Sequence, residues 1–478
     1  MARQRALIGV SYDDAYAVEE TFQLLKIPWE WYDPAHAYDV VIARKGDIDE
    51  GDAYLVDLSE KNYFAEIARI LNEGIAHCHE PVVDNLIDEL REILKAHTVL
   101  VEIPPVPGGY SYMIALTHDV DITSVKERRW ISVGYAIYQC VRKGKVVDGL
   151  RILGAKCGIG RDPWNCFSEW MEIEKDLGVR STFYFLPHPG RAGIGSPAIR
   201  AGNYDVDHDL IQDLVTGGWE VGVHGIDNWV DSEAARAEAE VLAGEKNNSG
   251  TAHAPGNRVH WLLFDPETWQ ILDDAGYSYD STFGYNEDVG FRAGTLQAYK
   301  PRGTSELLEL PLHIQDASLF GKHCWLPTES GCERGRCLNL DENEARQVCE
   351  EILSYAEQYG GVVTVLWHSE CLCAPRNWGS LYQHVVKKST HDNAWITRAI
   401  DIVDWFRMRR NASLTYIKKE NQLDIHVSGL ENKTNLPNLR VRIHIDPARV
   451  RHVDGEYLVG DDAIDIKCDR EHITVVIA

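Results

Sequence analysis

Residues 113–121 read MIALTHDVD, an apolar run that ends in Thr117, His118, Asp119, Val120 and Asp121. That is the pattern of a buried strand with polar chemistry at its far end. The same form recurs in RSTFYFLP (180–187), WEVGVHG (219–225), LLELPLHI (307–314) and GVVTVLWH (361–368). Between these runs lie stretches of helical spacing: FSEWMEIEKDLG, LIQDLVTGG, DSEAARAEAEVLAG, PETWQILDDAG and ARQVCEEILSYAEQYG, each closed by glycine. Strand and helix in alternation predict an α/β fold with parallel strands covered by helices, an irregular (β/α) barrel or a doubly wound sheet. Chemistry in such folds sits at the C-terminal strand ends, where the unusual polar residues of this chain fall.

Outward from this centre the pattern changes twice. Residues 1–100 predict a small α/β, flavodoxin-like unit, with ALIGV, YDVVIA and DAYLVDLS as strands and VEETFQLLKI, FAEIARILNEGI and NLIDELREILKAH as helices. The stretch IPPVPGGY (103–110) marks a boundary, so 101–410 is assigned to the barrel. Residues 411–478 alternate with period two, in SLTYIKKENQLDIHVSG, LRVRIHIDPARV and HITVVIA, and predict a β-rich module.

The formal charge of the 478-residue chain is −26, which disfavours nucleic acid and anionic membranes as partners of the surface at large. The opening MARQRALIGVSYDD lacks the apolar core of a signal peptide, and no transmembrane segment is foreseen, so a cytoplasmic chain with reduced thiols is expected. Cys324, Cys332 and Cys337 share a Gly-rich loop and are read as free thiols.

Alternate residues on a strand share a face, so Asp119 and Asp121 point the same way. Two adjacent carboxylates repel unless a cation or a proton lies between them, which suggests one metal ligand and one base, against a solvated turn or helix cap. His224, set between glycines at a strand end, is a second candidate ligand. Arg258 and His260 have the same side-chain parity if residues 256–261 are extended. His368 closes the strand GVVTVLWH and is suited to donate a proton, with Asp316 able to orient it or another group.

In this order the motifs resemble the polysaccharide deacetylase superfamily (NodB-type, carbohydrate esterase family four) over residues 112–410. THDVD resembles its first motif, WEVGVHG its second, GNRVHW with the following helix its third, and LWH its last. The resemblance implies Asp119 as catalytic base, Arg258 as its support and His368 as general acid. It implies Asp121 and His224 as ligands of a divalent metal, zinc first, with cobalt, manganese and nickel as alternatives. The family's further histidine in the second motif is replaced here by Asn228, beside Asp227. His260 is the candidate third ligand, with Asp227 or Asn228 as alternatives. HDVD with HGID and RxHW is similar to a subgroup associated with surface-glycan biosynthesis. Arg292, in a loop resembling a substrate-side loop of that subgroup, Trp367 and Asp316 are candidate substrate contacts.

The implied reaction is metal-dependent removal of an acyl group from an acetylated amino sugar, nucleotide-sugar or lipid-linked glycan. Rival readings are an amidohydrolase acting on a small C–N substrate, an inactive glycan-binding or assembly barrel, and a carboxylate-pair glycosidase. The last would leave His224 and His368 without roles.

Overall fold

The computed structural model describes residues 8–48, 53–188, 204–243, 255–321, 337–430 and 435–478. Cys324 and Cys332 lie outside them. Eight strands form one curled, all-parallel sheet. Their hydrogen-bonded order is Leu308–Glu309, Tyr279–Asp280, Gly256–Val259, Glu220–Gly225, Thr182–Phe185, Met113–Val120, Val362–Leu366 and Ile314–Gln315. A ninth strand, Trp395–Thr397, pairs with the first half of Met113–Val120. The two edge strands belong to the single stretch LLELPLHIQ, so one piece of chain joins the ends of the sheet and closes the curl. All eight residues of Met113–Val120 are buried, as expected of a strand packed on both faces.

Glycine makes room inside the curl. The Tyr184 and Tyr279 rings fill its interior, their hydroxyls 2.9 Å apart. A Cβ on Gly222 would meet Tyr184 at 2.6 Å, and one on Gly256 would meet Tyr279 at 2.1 Å. The covering helices stop where expected. Phe167–Leu177 ends at Gly178 and Thr268–Ala275 at Gly276, both in the left-handed conformation that glycine adopts without strain. Glu342–Tyr359 opens on a capping box made by Asp341 and Glu344.

Residues 8–97 form a four-stranded parallel sheet in the order Glu30–Trp31, Ile8–Val10, Val40–Ala43, Tyr54–Asp57, with helices Ala15–Leu25, Tyr63–Glu73 and Val82–His97. One face of this unit shares its core with the barrel: Phe22, Phe64 and Leu71 belong to one apolar cluster with Trp269, Phe283 and Tyr299, while Tyr38, Val41 and Ala43 form a small cluster of its own on the other. The tail folds as two four-stranded sheets, in which strands such as Gln422–Ser428 and Arg440–His444 alternate buried and half-buried residues. One of those strands, Val101–Glu102, comes from before the barrel and pairs with Arg440–His444.

Residues 122–166 carry a helical hairpin, Trp130–Arg142 and Val146–Lys156, for which the strand–helix rhythm gave no sign. At its base Cys166 is joined to Cys373 in a disulfide, which corrects the expectation that every thiol is reduced. No helix among the described residues is long and apolar enough to cross a membrane.

Candidate metal centre

The alternation of Met113–Val120 sorts its polar end into two sets. His118 faces the helices, held between Glu174 Oε1 and the Trp367 carbonyl, each 2.8 Å away. Thr117 and Asp119 face inward and meet Arg258, whose Nη1 donates to Thr117 Oγ1 at 2.7 Å and to Asp119 Oδ1 at 3.0 Å. The guanidinium is fully buried. Its remaining donors reach the Ser281 carbonyl and hydroxyl, both at 2.9 Å, and it lies over the Tyr184 ring. Burial alone would lower its pKa, but Asp119 beside it reverses the shift, so the pair is a buried ion pair with all three guanidinium nitrogens engaged.

Next to this pair three potential ligand atoms converge. His224 Nε2 lies 3.2 Å from Asp121 Oδ1, His260 Nδ1 lies 3.3 Å from the same oxygen, and the two ring nitrogens are 3.0 Å apart. His224 Nδ1 is 2.8 Å from the Arg258 carbonyl, which can only accept. Nδ1 therefore carries the proton, and a neutral His224 turns the lone pair of Nε2 towards Asp121. Asp121 Oδ1 is buried and makes no hydrogen bond. Burial raises the Asp121 pKa, but His260, His224 and His368 outweigh it and hold the carboxyl well below its usual range. A buried carboxylate oxygen facing two imidazole nitrogens at these separations fits a divalent cation. Tetrahedral ligands at about 2.0–2.2 Å from zinc lie roughly 3.3–3.6 Å from one another. The His260 placement follows from its turn: the strand stops at Val259, and Trp261 takes a positive φ of 63°.

On the far side of Asp121, His368 Nε2 is 3.8 Å from Oδ2. Asp316, fully buried, accepts from His368 Nδ1 at 2.7 Å and from its backbone N–H at 2.9 Å. Burial pushes the His368 pKa down, yet Asp316 more than compensates and raises it to about 10.

Other candidates stand elsewhere. Asn228 is buried and turned away, donating to Asn257 Oδ1 at 2.7 Å; its side chain fills the space where a Cβ on Gly225 would sit, at 1.9 Å. Asp227 groups with His188 and Glu238, and its backbone N–H donates to Glu238. Neither joins Asp121 and His224, whereas His260 does. Trp367, read as a substrate contact, is a core residue with no exposed surface, its Nε1 donating to the Trp378 carbonyl. Arg292, read likewise, lies on the Phe283 ring 4.2 Å from its centre and donates to the Gly284 carbonyl, in the seam with the N-terminal unit. The sequence reading gave no role to Thr117, Ser281 or Tyr184, which hold Arg258. Thr117 and Tyr184 lie in apolar runs of the chain, but only the fold brings them together with Ser281 around the guanidinium.

Neither a family model nor a curated protein matches the chain. Among solved structures it is similar to a candidate polysaccharide deacetylase from Mycobacterium smegmatis, at 18% identity over 67% of this chain and 100% of that one, with a TM-score of 0.41. It is also similar to a family 4 carbohydrate esterase from Streptomyces lividans in complex with acetate, at 9% identity over 61% and 93% of the two chains, TM-score 0.28. A family 4 pseudoenzyme from Bacillus anthracis matches at 11% identity over 62% and 66%, TM-score 0.29. Likenesses this distant leave the reaction to be argued from the site.

Proposed function

We propose that the chain is a metal-dependent deacylase that hydrolyses the N-acyl amide of an acetylated amino sugar or glycan precursor. The observation that carries this reading is the bare oxygen of Asp121 facing two imidazoles, with an Asp–Arg pair on one side and an Asp–His pair on the other. Asp121, His224 and His260 would hold the metal. A divalent cation there supplies positive charge that polarises an acyl carbonyl and acidifies water.

The protein groups divide the proton traffic. Arg258 occupies Asp119 Oδ1, which leaves Oδ2, on the His224 side, to accept the proton of the attacking water. The ion pair fixes the orientation of the Asp119 carboxylate, so that Oδ2 is already in place for the water. Asp316 occupies Nδ1 of His368 and fixes the ring, which leaves Nε2 to protonate the departing nitrogen. An amide needs that proton because a free amide anion is too poor a leaving group. This requirement supports an N-acyl substrate, and the motif order supports a sugar carrier.

Acetate release from N-acetylhexosamines, presented free, nucleotide-linked and lipid-linked, tests the proposal. Asp119→Asn should abolish release and keep the metal; Asp121→Asn should lose both. Full activity in both variants would overturn the assignment.

A further inference from the structure

The hairpin of residues 130–156 has two apolar faces. Val133, Ala136 and Cys140 of the first helix pack with Ile152, Ala155 and Trp164 as an ordinary small core. The other face is open. Trp130, Ile131 and Tyr138 are 59%, 62% and 56% exposed, and Val147, Leu150 and Ile159 are 62%, 62% and 70% exposed. Val141, Val146 and Leu153 extend the patch at helical spacing. Monomeric proteins seldom leave so many large apolar side chains exposed together without a partner.

The charge around this patch is opposite to that of the molecule. Between Lys126 and Arg161 there are nine Lys and Arg and two acidic residues, Glu127 and Asp148, in a chain of net charge −26. Lys126, Arg142, Lys143, Lys145 and Arg151 are exposed around the apolar face. Exposed aliphatic and aromatic side chains ringed by basic ones are the composition of a surface that settles into a bilayer interface. A second copy of the hairpin would bring like charges together. A nucleic acid would satisfy the cations but offer nothing to the aliphatic side chains.

The position of the hairpin gives this surface a use. Ile122, next to Asp121, belongs to the hairpin core together with Ala374. Lys143 Nζ donates to the Pro375 carbonyl at 2.8 Å, and Trp164 Nε1 to that of Ala374 at 3.0 Å. The hairpin therefore stands on the rim of the barrel that carries Asp121 and His368.

We propose that the hairpin docks the protein on an anionic lipid surface, with Trp130, Ile131, Tyr138, Val147 and Leu150 entering the interface and the basic residues meeting lipid headgroups. This concerns where the molecule sits and stands whether or not the deacylase reading holds. It brings the rim of the site to the level of the headgroups.

Flotation of the full-length protein with vesicles tests it. The protein should float with phosphatidylcholine vesicles containing phosphatidylglycerol, and much less with phosphatidylcholine alone or at high salt. Arg142→Gln, Lys143→Gln and Lys145→Gln combined should weaken binding roughly a hundredfold, from about fivefold per basic residue. Val147→Ser with Leu150→Ser should weaken it too, with an unchanged circular dichroism spectrum because both positions are exposed. Three results would each overturn the proposal: no flotation with anionic vesicles at low salt, equal flotation with both vesicle types, or unaltered binding by both variants.

Discussion

Arg258 and Asp316 never need to touch substrate, yet each fixes the group that would. Arg258 reaches three residues from a buried position, and no lysine can span Thr117, Asp119 and Ser281 at once. Asp316 determines which nitrogen of His368 is free. On the proposed mechanism Asp316→Asn leaves the ring in place but favours the wrong tautomer. It is expected to lower kcat/KM by roughly 10²–10⁴-fold while metal content stays at the wild-type level. Steady-state kinetics with elemental analysis checks this, and an unchanged kcat/KM would remove His368 from the role of acid. The proximity of Asp119, Asp121, His224 and His368 was legible in part, because each stands at the end of an apolar run. Trp367 lies in the core and Arg292 in a half-buried seam; a tryptophan next to a histidine, or an arginine between glycines, has the same sequence signature in a packed setting as on a ligand.

At the scale of elements, the strands near the site are set by what their neighbours lack. Gly222 and Gly256 leave space for Tyr184 and Tyr279, and Tyr184 in turn supports the Arg258 guanidinium. Gly256→Ala should therefore destabilise the fold by about 1–3 kcal/mol through overpacking, measurable as a lower denaturation midpoint. Gly225→Ala, which would displace the buried Asn228 side chain beside His224, should weaken metal binding as well as the fold, and retention of wild-type metal affinity would count against this link. Periodicity reveals strands such as Met113–Val120, because burial on both faces demands a continuous apolar run. It misses elements with no such run: Glu30–Trp31 is too short, and the hairpin of residues 130–156 mixes exposed apolar residues with basic ones. The segment LLELPLHI reads as one strand but serves as two, because the chain pairs with Tyr279–Asp280 and then crosses to Val362–Leu366.

For the whole molecule, the barrel depends on its neighbours through buried polar contacts as well as shared apolar clusters. Asp84, on the helix Val82–His97, accepts from the Leu296 backbone N–H at 2.7 Å and from Thr295 Oγ1 at 2.9 Å. Burial outweighs these hydrogen bonds and raises its pKa from 3.8 to about 6. Between those values the folded chain binds more protons than the unfolded one, so Asp84 makes stability fall as pH rises from about 4 to about 6. Asp84→Asn should flatten that part of the stability profile in urea denaturation, and an unaltered slope would show that the carboxyl is not titrating there. Such joins between distant parts of the chain leave no periodic trace, so the sequence suggests three units where the structure packs them on common cores. The proposed chemistry requires a cation held by Asp121, His224 and His260. Elemental analysis of the purified full-length protein and of its His260→Ala variant tests this most directly. Stoichiometric divalent metal in the first and loss of most of it in the second is the predicted result; no metal in the wild type after incubation with zinc, or equal metal in both, would contradict it.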